Sequence, residues 1–429
     1  MLRFLREHPC APIYRNHSGN RLLQEDVAEV RSFERQVESS TVGWRPGEIP
    51  AWLSKLVEHC YREVPWYRDQ GDAPRSFKEI KPITRSELSS SISSFVPDSL
   101  ALDRLINFQT TGISGEPLLL PSHPAVAAKY LSFLKKALRF FDVELQFGRD
   151  QVGVVLVGFQ RRCFTYVSVT PTQDETGLAK INLHPNDWNT LAQRAQYLDA
   201  LNAEIYTGDP VAFSELARLP LKTRPKALLS TSMNLLPGFQ AMLQRHFGCP
   251  VVDIYSLNET GTVAVRKGDG HILLQHELYL EIIDSSGRAL PPGERGEIVV
   301  SGGFNPYLPL LRYRTADFAA LSFRGIQPIL IGLEGRPAVM FRISSGEWVN
   351  NIDVTHALGD FALSQYAFHQ GSDGSVQLRI RDQDAPQAEI KQKLSELMGA
   401  AIDIVVEVGV QFEDKVIQYT SDLEQAWYF

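Results

Sequence analysis

Two acidic residues in separate segments of the chain have neighbours that suit nucleotide chemistry. The segment DIYSLNET, residues 253–260, ends an apolar run and contains Glu259. The segment PLLRYRTAD places two arginines shortly before Asp317. Glu259 can hold a magnesium ion, and Asp317 can accept hydrogen bonds from both hydroxyls of a ribose. Together the two segments predict a site for a nucleoside triphosphate.

A third segment, INFQTTGISGEPLLL at residues 106–120, combines glycines with hydroxyl residues. Its pattern predicts a strand, a turn and a second strand. Glycines let backbone N–H groups approach phosphate oxygens, and Thr110, Thr111 and Ser114 can add hydroxyl donors. No Gly-Lys-Ser/Thr closes the segment, so it is not a Walker loop. Beside the two acidic segments it predicts phosphate binding, whereas alone it would indicate only a turn.

Composition narrows the class of protein. The chain has 429 residues, 44% of them hydrophobic and 22% charged, with a net charge of −7. This length predicts two or more domains, and the net charge argues against a general nucleic-acid binder. The longest strongly apolar run, residues 152–159, fits a buried strand and is too short to cross a membrane. The N-terminus lacks an apolar signal core, which predicts a cytoplasmic protein.

Periodicity predicts the elements that position the three segments. A helix is expected within residues 49–69 and should end at Pro65, and another is expected over Pro124–Phe141. Short β-rich runs then alternate with helical stretches, which is typical of a mostly parallel sheet flanked by helices. From Leu278 to Ser301 the period becomes two, which predicts antiparallel strands.

These elements predict an α/β protein with two domains. The large N-terminal domain, residues 1–335, should combine mostly parallel sheets flanked by helices with antiparallel strands, after a helical lead-in of about 100 residues. Residues 336–429 have mixed strand and helix patterns and predict a small α+β lid domain. The four cysteines are far apart and form no CxxC pair, so neither a zinc site nor a disulfide framework is expected.

The three segments together resemble the adenylate-forming enzymes, the acyl-CoA synthetase or ANL superfamily, and within it the phenylacetate–CoA ligase branch. The resemblance covers essentially the whole chain. It is best over residues 253–317, fair over 106–117 and weak beyond 336. It implies a large domain followed by a lid, and it assigns roles to matching residues.

In the second segment the resemblance places Tyr255 on the adenine, Asp253 at the adenine edge, Glu259 on magnesium and Thr260 near the α-phosphate. The alternative is a core tyrosine and a solvated loop acid. Ser232 matches an adenine-side loop by position. The resemblance further places Asp317 on the ribose, while the nearby Arg312 and Arg314 either hold their strand or face phosphate.

The loop, hinge and lid follow the family less closely. The phosphate loop would use Thr110, Thr111, Gly112, Ser114 and Gly115; Arg336 matches the hinge arginine, and Lys415 the lid lysine that bridges the acid and the α-phosphate. Glu116 replaces a usual lysine, and Ser344 and Ser345 replace an arginine–glycine pair at the thiol tunnel. A carboxylate at residue 116 would repel a triphosphate unless it points away, and the change at residues 344 and 345 puts the second half-reaction in doubt more than the first.

The resemblance implies an enzyme that uses ATP and Mg²⁺ to activate a small carboxylic acid as its acyl-adenylate and then transfers the acyl group to coenzyme A. An amine acceptor is the alternative, and a non-catalytic nucleotide- or acyl-binding relative also stays open. Phe159, Phe164 and Tyr166 would suit an aromatic or short apolar acid, although core positions are equally consistent with their pattern. Neither nucleic acid nor membrane is an expected partner, and a homodimer stays open.

Overall fold

The structure is a computed structural model, and it describes residues 1–16, 22–110, 118–161, 163–335, 339–412 and 416–424, with the backbone alone at residues 109, 110, 335 and 352. The fold is mixed α/β, as predicted. The α-helices are α1 (Leu2–Glu7), α2 (Gln24–Ser39), α3 (Ala51–Glu63), α4 (Pro65–Arg68), α5 (Arg85–Ser90), α6 (Pro124–Arg139), α7 (Ala192–Leu201), α8 (Pro210–Ala217), α9 (Pro237–Phe247), α10 (Asn351–Leu358) and α11 (Gln387–Met398).

The described residues include twenty strands. They are β1 (Ile106–Thr110), β2 (Leu118–Ser122), β3 (Val152–Gly158), β4 (Tyr166–Thr170), β5 (Thr176–Asn182), β6 (Ile205–Gly208), β7 (Ala227–Ser230), β8 (Val251–Leu257), β9 (Gly261–Lys267), β10 (Gly270–Leu273), β11 (Leu278–Ile283), β12 (Arg295–Gly302), β13 (Leu310–Arg324), β14 (Gln327–Gly335), β15 (Met340–Arg342), β16 (Trp348–Asn350), β17 (Tyr366–Gln370), β18 (Val376–Ile380), β19 (Ile404–Glu407) and β20 (Tyr419–Ser421).

Local residue chemistry explains where two helices begin. Pro65 follows the end of α3, as predicted, and it is the first residue of α4. Proline suits a first helical position because its missing N–H would be unpaired there in any case. The predicted helix from Pro124 is also confirmed, and the imidazole of His123 caps it by accepting a hydrogen bond from the N–H of Ala125 at 3.2 Å.

The chain forms two compact units. Met1–Ser18, Leu145–Asp253 and Ala338–Tyr428 make up the first, and Gly19–Glu144 with Ile254–Pro337 the second. In the first unit β3, β5, β6, β7 and the start of β8 are parallel, and β4 lies antiparallel on β5. Helices α7, α8 and α9 connect these strands, so the predicted strand–helix alternation is confirmed.

The first unit also contains a small mixed sheet in the order β19-β18-β17-β20, with α10 and α11 close in sequence. The apolar side chains of the small sheet belong to the same core as those of the parallel strands. This core also includes Leu5 of α1 and Val406 of β19. The domain boundary predicted near residue 336 stays a prediction. Among the described residues, no helix has both the length and the apolar character that crossing a membrane demands.

The second unit is built on antiparallel strands. From the end of β8 the order is β8-β9-β10-β14-β13-β12-β11, and each neighbouring pair is antiparallel. The antiparallel pairing predicted between Leu278 and Ser301 is thus confirmed. The β1–β2 hairpin and helices α2 to α6 belong to the same unit, and the apolar side chains of the unit form a core of their own.

Candidate nucleotide site

Two hydrogen bonds between an acid and a tyrosine join the end of β8 to β13 in the second unit. The hydroxyl of Tyr255 donates to Oδ2 of Asp317 at 2.8 Å. The hydroxyl of Tyr313 donates to Oε1 of Glu259, also at 2.8 Å. Each segment therefore contributes one acid and one tyrosine, four residues apart. The two acids singled out in the sequence are brought into one cluster.

The two strands that meet in this cluster are not neighbours in their sheet. Strands β9, β10 and β14 lie between β8 and β13 in the sheet order. Side chains can bridge three intervening strands only if the sheet curves strongly. The register of β13 is irregular against both of its neighbouring strands, and such irregularities increase the local twist of a sheet. Bulges next to such a site re-aim side chains, and here the bulge directs Asp317.

The bulge in β13 has an unusual backbone. Ala316 has φ +60°, in the left-handed region that favours glycine. Its N–H donates to Oε1 of Glu297 at 3.0 Å, and the N–H of Asp317 donates to Oγ1 of Thr315 at 3.1 Å. These bonds hold the backbone conformation in which Asp317 meets Tyr255.

Both tyrosine hydroxyls stay protonated. Burial, followed by the negative charge of Asp317, raises the pKa of Tyr255 well above its usual 10.0. Burial and then the carboxylate of Glu259 likewise raise the pKa of Tyr313. Burial, with the same carboxylate, raises the pKa of Tyr130 to about 12. At neutral pH these residues are hydrogen-bond donors and not charged groups.

Glu259 is 6% exposed and has a second donor that sequence reasoning missed. Nη1 of Arg85 lies 3.0 Å from Oε1 of Glu259. Arg85 is the first residue of α5, and the side chain of Thr84 caps that helix by accepting from the N–H of Glu87. The Thr-x-x-Glu pattern marks a helix start in the sequence, but nothing local indicates that the next residue reaches a carboxylate 174 positions away.

The backbone before Arg85 is fastened to β13. The N–H of Ile83 donates to the carbonyl of Arg312, and the N–H of Arg314 donates to the carbonyl of Ile83, both at 2.9 Å. Ile83 also forms a parallel bridge with Tyr313. The strand that carries Tyr313 and Asp317 therefore also fixes the position from which Arg85 extends.

Thr260, predicted to lie near the α-phosphate, has a buried hydroxyl. Its Oγ1 has no hydrogen-bond partner among the described residues. Its carbonyl accepts from Nε2 of Gln275 at 2.6 Å, so the backbone is held while the side chain is not. A buried hydroxyl without a partner costs free energy, and a ligand oxygen beside it would remove that cost.

The oxygens of this cluster fit a magnesium ion that arrives with a triphosphate. Glu259 and Thr260 supply a carboxylate and a hydroxyl, which are hard donors. Among the described residues no group of three or more His, Cys, Asp or Glu could hold a metal ion. Mg²⁺ commonly uses one or two carboxylates and completes its shell with water and substrate phosphates. The donor set matches that arrangement and not an all-protein cage.

Aromatic side chains pack directly on the backbone after Thr260. Gly261 has φ +77°, and a Cβ there would lie 2.5 Å from the ring of Phe304 and 3.2 Å from that of Tyr130. The two rings meet edge to face, with centroids 5.1 Å apart. Sequence reasoning missed both residues, because only the glycine after Thr260 hints at a close approach.

The arginines before Asp317 hold the strand. Arg312 is buried, and its Nε lies 3.1 Å from Oε2 of Glu281. Its Nη1 also donates to the carbonyl of Ile80 at 2.8 Å. Nε of Arg314 donates to Oε2 of Glu297 at 2.8 Å. The sequence left two interpretations open for Arg312 and Arg314. The observed contacts favour the one in which the two arginines hold their strand over the one in which they face phosphate.

Two predicted adenine-side residues lie in the first unit. Asp253 is 7% exposed and pairs in register with Ser230 across β7 and β8. Ser232 follows β7, is exposed, and has φ +70°. The roles of Asp253 and Ser232 stay predictions.

Other predicted residues are outside the described part. These are the loop residues Thr111, Gly112, Ser114 and Gly115, the hinge residue Arg336 and the lid residue Lys415. Thr110 ends β1, described by its backbone alone, and pairs with Leu118 of β2. The two strands predicted on either side of the loop are therefore confirmed. All six side-chain roles, and that of Thr110, stay predictions.

Sequence comparison gives a partial match. No family model matches the chain. The phenylacetate-coenzyme A ligase of Aromatoleum evansii is 30% identical over 116 residues, which are 25% of this chain and 26% of that protein. The match thus spans about a quarter of the length of this curated relative.

Structural comparison covers nearly all of the chain. A 2-hydroxyisobutyryl-CoA ligase in the postadenylation state, in complex with R3-HIB-AMP, has a TM-score of 0.65 at 15% identity, over 86% of this chain and 88% of that one. The same ligase in complex with 2-HIB-AMP and CoA has a TM-score of 0.51. The GH3.15 acyl acid amido synthetase has a TM-score of 0.53 at 12% identity, and the match covers 90% of this chain and 87% of that one.

At these identities a structural likeness shows the fold. The phenylacetate-coenzyme A ligase match adds a sequence similarity over part of the chain. The chain therefore has the fold of the adenylate-forming ligases, and the predicted resemblance to that superfamily is confirmed.

Proposed function

We propose that this chain is an ATP- and magnesium-dependent ligase that activates a carboxylic acid as its acyl-adenylate and then passes the acyl group to coenzyme A. In the first step the carboxylate attacks the α-phosphorus of ATP, the bond to the bridging oxygen breaks, and pyrophosphate leaves. In the second step the thiol attacks the acyl carbon and AMP leaves. The second step rests on the family resemblance more than on the residues described above.

One observation carries the proposal. Glu259 and Asp317, the acids suited to a metal ion and to a ribose, are each held by a tyrosine from the other segment. Acidic groups suit both ends of a nucleoside triphosphate with its metal, because the ribose offers hydroxyl donors and the phosphates carry a bound cation. The paired arrangement supplies both within one unit.

The chain's own residues have separable tasks in the first step. Tyr255 orients Asp317, which accepts from the ribose hydroxyls. The buried hydroxyl of Thr260 pairs with an α-phosphate oxygen. Glu259 would hold the magnesium ion, which would supply positive charge to offset the charge that develops on the pyrophosphate leaving group. Lys415 bridges the acid and the α-phosphate, with Arg336 at the hinge.

The acid that these residues favour is aromatic or short and apolar. Tyr130 and Phe304 lie against Gly261, next to the residues proposed for the metal and the α-phosphate. The earlier candidates are in the first unit, where Phe164 is 55% exposed and Phe159 lies under the guanidinium of Arg381, 4.9 Å from its ring centroid. We propose Tyr130 and Phe304 as further candidates to line the acyl pocket, beside Phe159, Phe164 and Tyr166.

An amide-forming ligase is the second candidate function. The fold likeness to an acyl acid amido synthetase supports it, as does the altered pair at residues 344 and 345. The N–H of Ser344 donates to the carbonyl of Met398 at 2.8 Å, and Oγ of Ser345 donates to Glu347 at 3.1 Å. Both serines thus have partners within their own region, which is consistent with a changed acceptor site.

Pyrophosphate exchange into ATP tests the first step. Purified protein with Mg²⁺ and a panel of aromatic, fatty and amino acids should exchange label with at least one aromatic or short apolar acid. Coenzyme A or a set of amines is then added, and the product is identified by mass. A thioester supports the first candidate and an amide the second. Binding of ATP without exchange for any acid would instead indicate a non-catalytic relative.

A further inference from the structure

Arg85 forms an ion pair with the proposed metal-binding acid. Its guanidinium lies 3.0 Å from Oε1 of Glu259, the same oxygen that accepts from Tyr313. The Arg85 side chain is 34% exposed, whereas that of Glu259 is 6% exposed. The guanidinium therefore neutralises part of the charge of this buried carboxylate.

The backbone around Arg85 is fixed independently of that ion pair. The N–H and the carbonyl of Ile83 both form hydrogen bonds with the backbone of β13. Thr84 and Glu87 form a capping box at the start of α5. The N–H of Thr84 lies 2.8 Å from Oε2 of Glu87. Loss of the Arg85 side chain should therefore leave the path of the chain unchanged. The long side chain can swing toward solvent without moving the helix.

We infer that Arg85 is a positioning residue that neutralises Glu259 while the nucleotide site is empty and releases it when a divalent cation arrives with the triphosphate. This inference rests on the proposed function. Burying an isolated carboxylate is costly, so a resident cation stabilises the empty site. Because the guanidinium competes with the metal for one carboxylate, it also weakens metal binding in the absence of nucleotide.

Competition between Arg85 and the metal for Glu259 predicts how the Mg²⁺ dependence of nucleotide binding changes when Arg85 is replaced. We would measure binding of α,β-methylene-ATP, whose α–β bridge cannot be cleaved to transfer AMP, to the full chain over a range of Mg²⁺ concentrations. Arg85→Met should lower the half-saturating Mg²⁺ concentration roughly two- to fivefold, the range expected for a partly exposed ion pair. Arg85→Lys, which keeps the charge, should restore the wild-type value. A purely supporting role for Arg85 would leave the value unchanged or raise it, and either result would overturn the inference.

Controls separate this effect from general changes in charge or stability. Arg62→Met removes an arginine of α3 that pairs with Glu63 at 2.7 Å, outside the site, and should leave the Mg²⁺ dependence unchanged. Adding Glu259→Gln to Arg85→Met should remove the gain. If Arg85→Met does not fold, Arg85→Gln, which also lacks the charge, carries the same prediction.

Failure of the inference and failure of the proposed function give different results. If the wild-type protein binds the analogue without any dependence on Mg²⁺, or does not bind it, the proposed function fails and the inference fails with it. If wild-type binding depends on Mg²⁺ but the Met and Gln variants show no shift, the role of Arg85 alone is wrong.

Discussion

Glu281 and Glu259 are both buried glutamates bonded to an arginine in the second unit, but their surroundings differ. Arg312, the partner of Glu281, has a side chain that is 4% exposed and also donates to three backbone carbonyls. Arg85, the partner of Glu259, is 34% exposed. Beside Glu259 the hydroxyl of Thr260 is buried and has no partner among the described residues.

The difference shows how one chemical pair can serve two purposes. Around Glu281 the polar groups of the arginine are used within the protein, so the pair holds β13 in place. Burial raises the pKa of Glu281 and Arg312 lowers it, which reflects how closely the charge depends on its partner. Around Glu259 the cation is partly exposed and, among the described residues, the hydroxyl of Thr260 has no partner, which suits the nucleotide site proposed there.

The largest expected effect on stability comes from breaking the buried Glu281–Arg312 pair. Arg312→Met leaves the Glu281 carboxylate and several carbonyls buried without their donor. We expect the free energy of unfolding to fall by about 3–5 kcal/mol, measured by urea denaturation. Pyrophosphate exchange should be lost only in proportion to unfolded protein. Wild-type stability with abolished exchange would instead place Arg312 in the nucleotide site.

A change in the Glu259–Arg85 pair should lower activity and leave stability nearly unchanged. Glu259→Gln keeps the shape of the side chain but removes the charge that would hold the metal. We expect exchange to fall by about 10²–10³, while the free energy of unfolding changes by roughly 1 kcal/mol or less. Steady-state exchange and urea denaturation on the same preparation provide the test. Full exchange in the folded variant would refute the metal role.

The ribose half of the cluster can be tested on its own. Asp317→Asn replaces an acceptor oxygen with a donor, while the remaining carbonyl can still accept from Tyr255. We expect the affinity for ATP to fall about tenfold to a hundredfold, since one hydrogen bond to a charged group contributes roughly 1.5–3 kcal/mol. Calorimetric titration with ATP and with the ribose-modified 2′,3′-dideoxy-ATP measures it. If the variant discriminated between these two nucleotides as strongly as the wild type, Asp317 would not contact the ribose.

The smallest expected effect concerns the helix that presents Arg85. The backbone N–H of Thr84, bonded to Glu87, lowers the pKa of that carboxyl from 4.5. A lowered folded-state pKa means that Glu87 stabilises the protein above pH 4.5 and that this contribution is lost as the pH falls through the folded value. Glu87→Gln should cost about 0.5–1 kcal/mol at neutral pH and nearly nothing in acid. Urea denaturation at both pH values measures the cost, and the exposed Glu79→Gln is the matched control. An equal cost in acid would show that the charge of Glu87 is not involved.

Several elements were predictable because their patterns are local. Periodicity and proline chemistry predict the helix from Pro124 and the end of α3 before Pro65. Periodicity also predicts the antiparallel strands between Leu278 and Ser301. The acids Glu259 and Asp317 were found because each lies in a distinctive segment. The roles at Arg336 and Lys415 could not be compared with structure, since both lie outside the described residues.

Contacts between distant segments were not predictable. Arg85 had no distinguishing neighbour, and its partner is 174 positions away in the chain. The tyrosine partners of the two acids were likewise hidden, because β8 and β13 are separated in their sheet by three strands. No pattern near Tyr130 or Phe304 distinguishes these residues in the sequence, and only the tertiary structure brings their rings against Gly261.

The amino-acid sequence by itself determined the helices, the strands and the two acidic segments, because backbone propensity and side-chain periodicity depend on residues close together in the chain. The tertiary structure alone decided which arginine neutralises Glu259 and which tyrosine meets each acid. That choice depends on how a curved sheet brings β8, β13 and the start of α5 together, and no local pattern of residues specifies it.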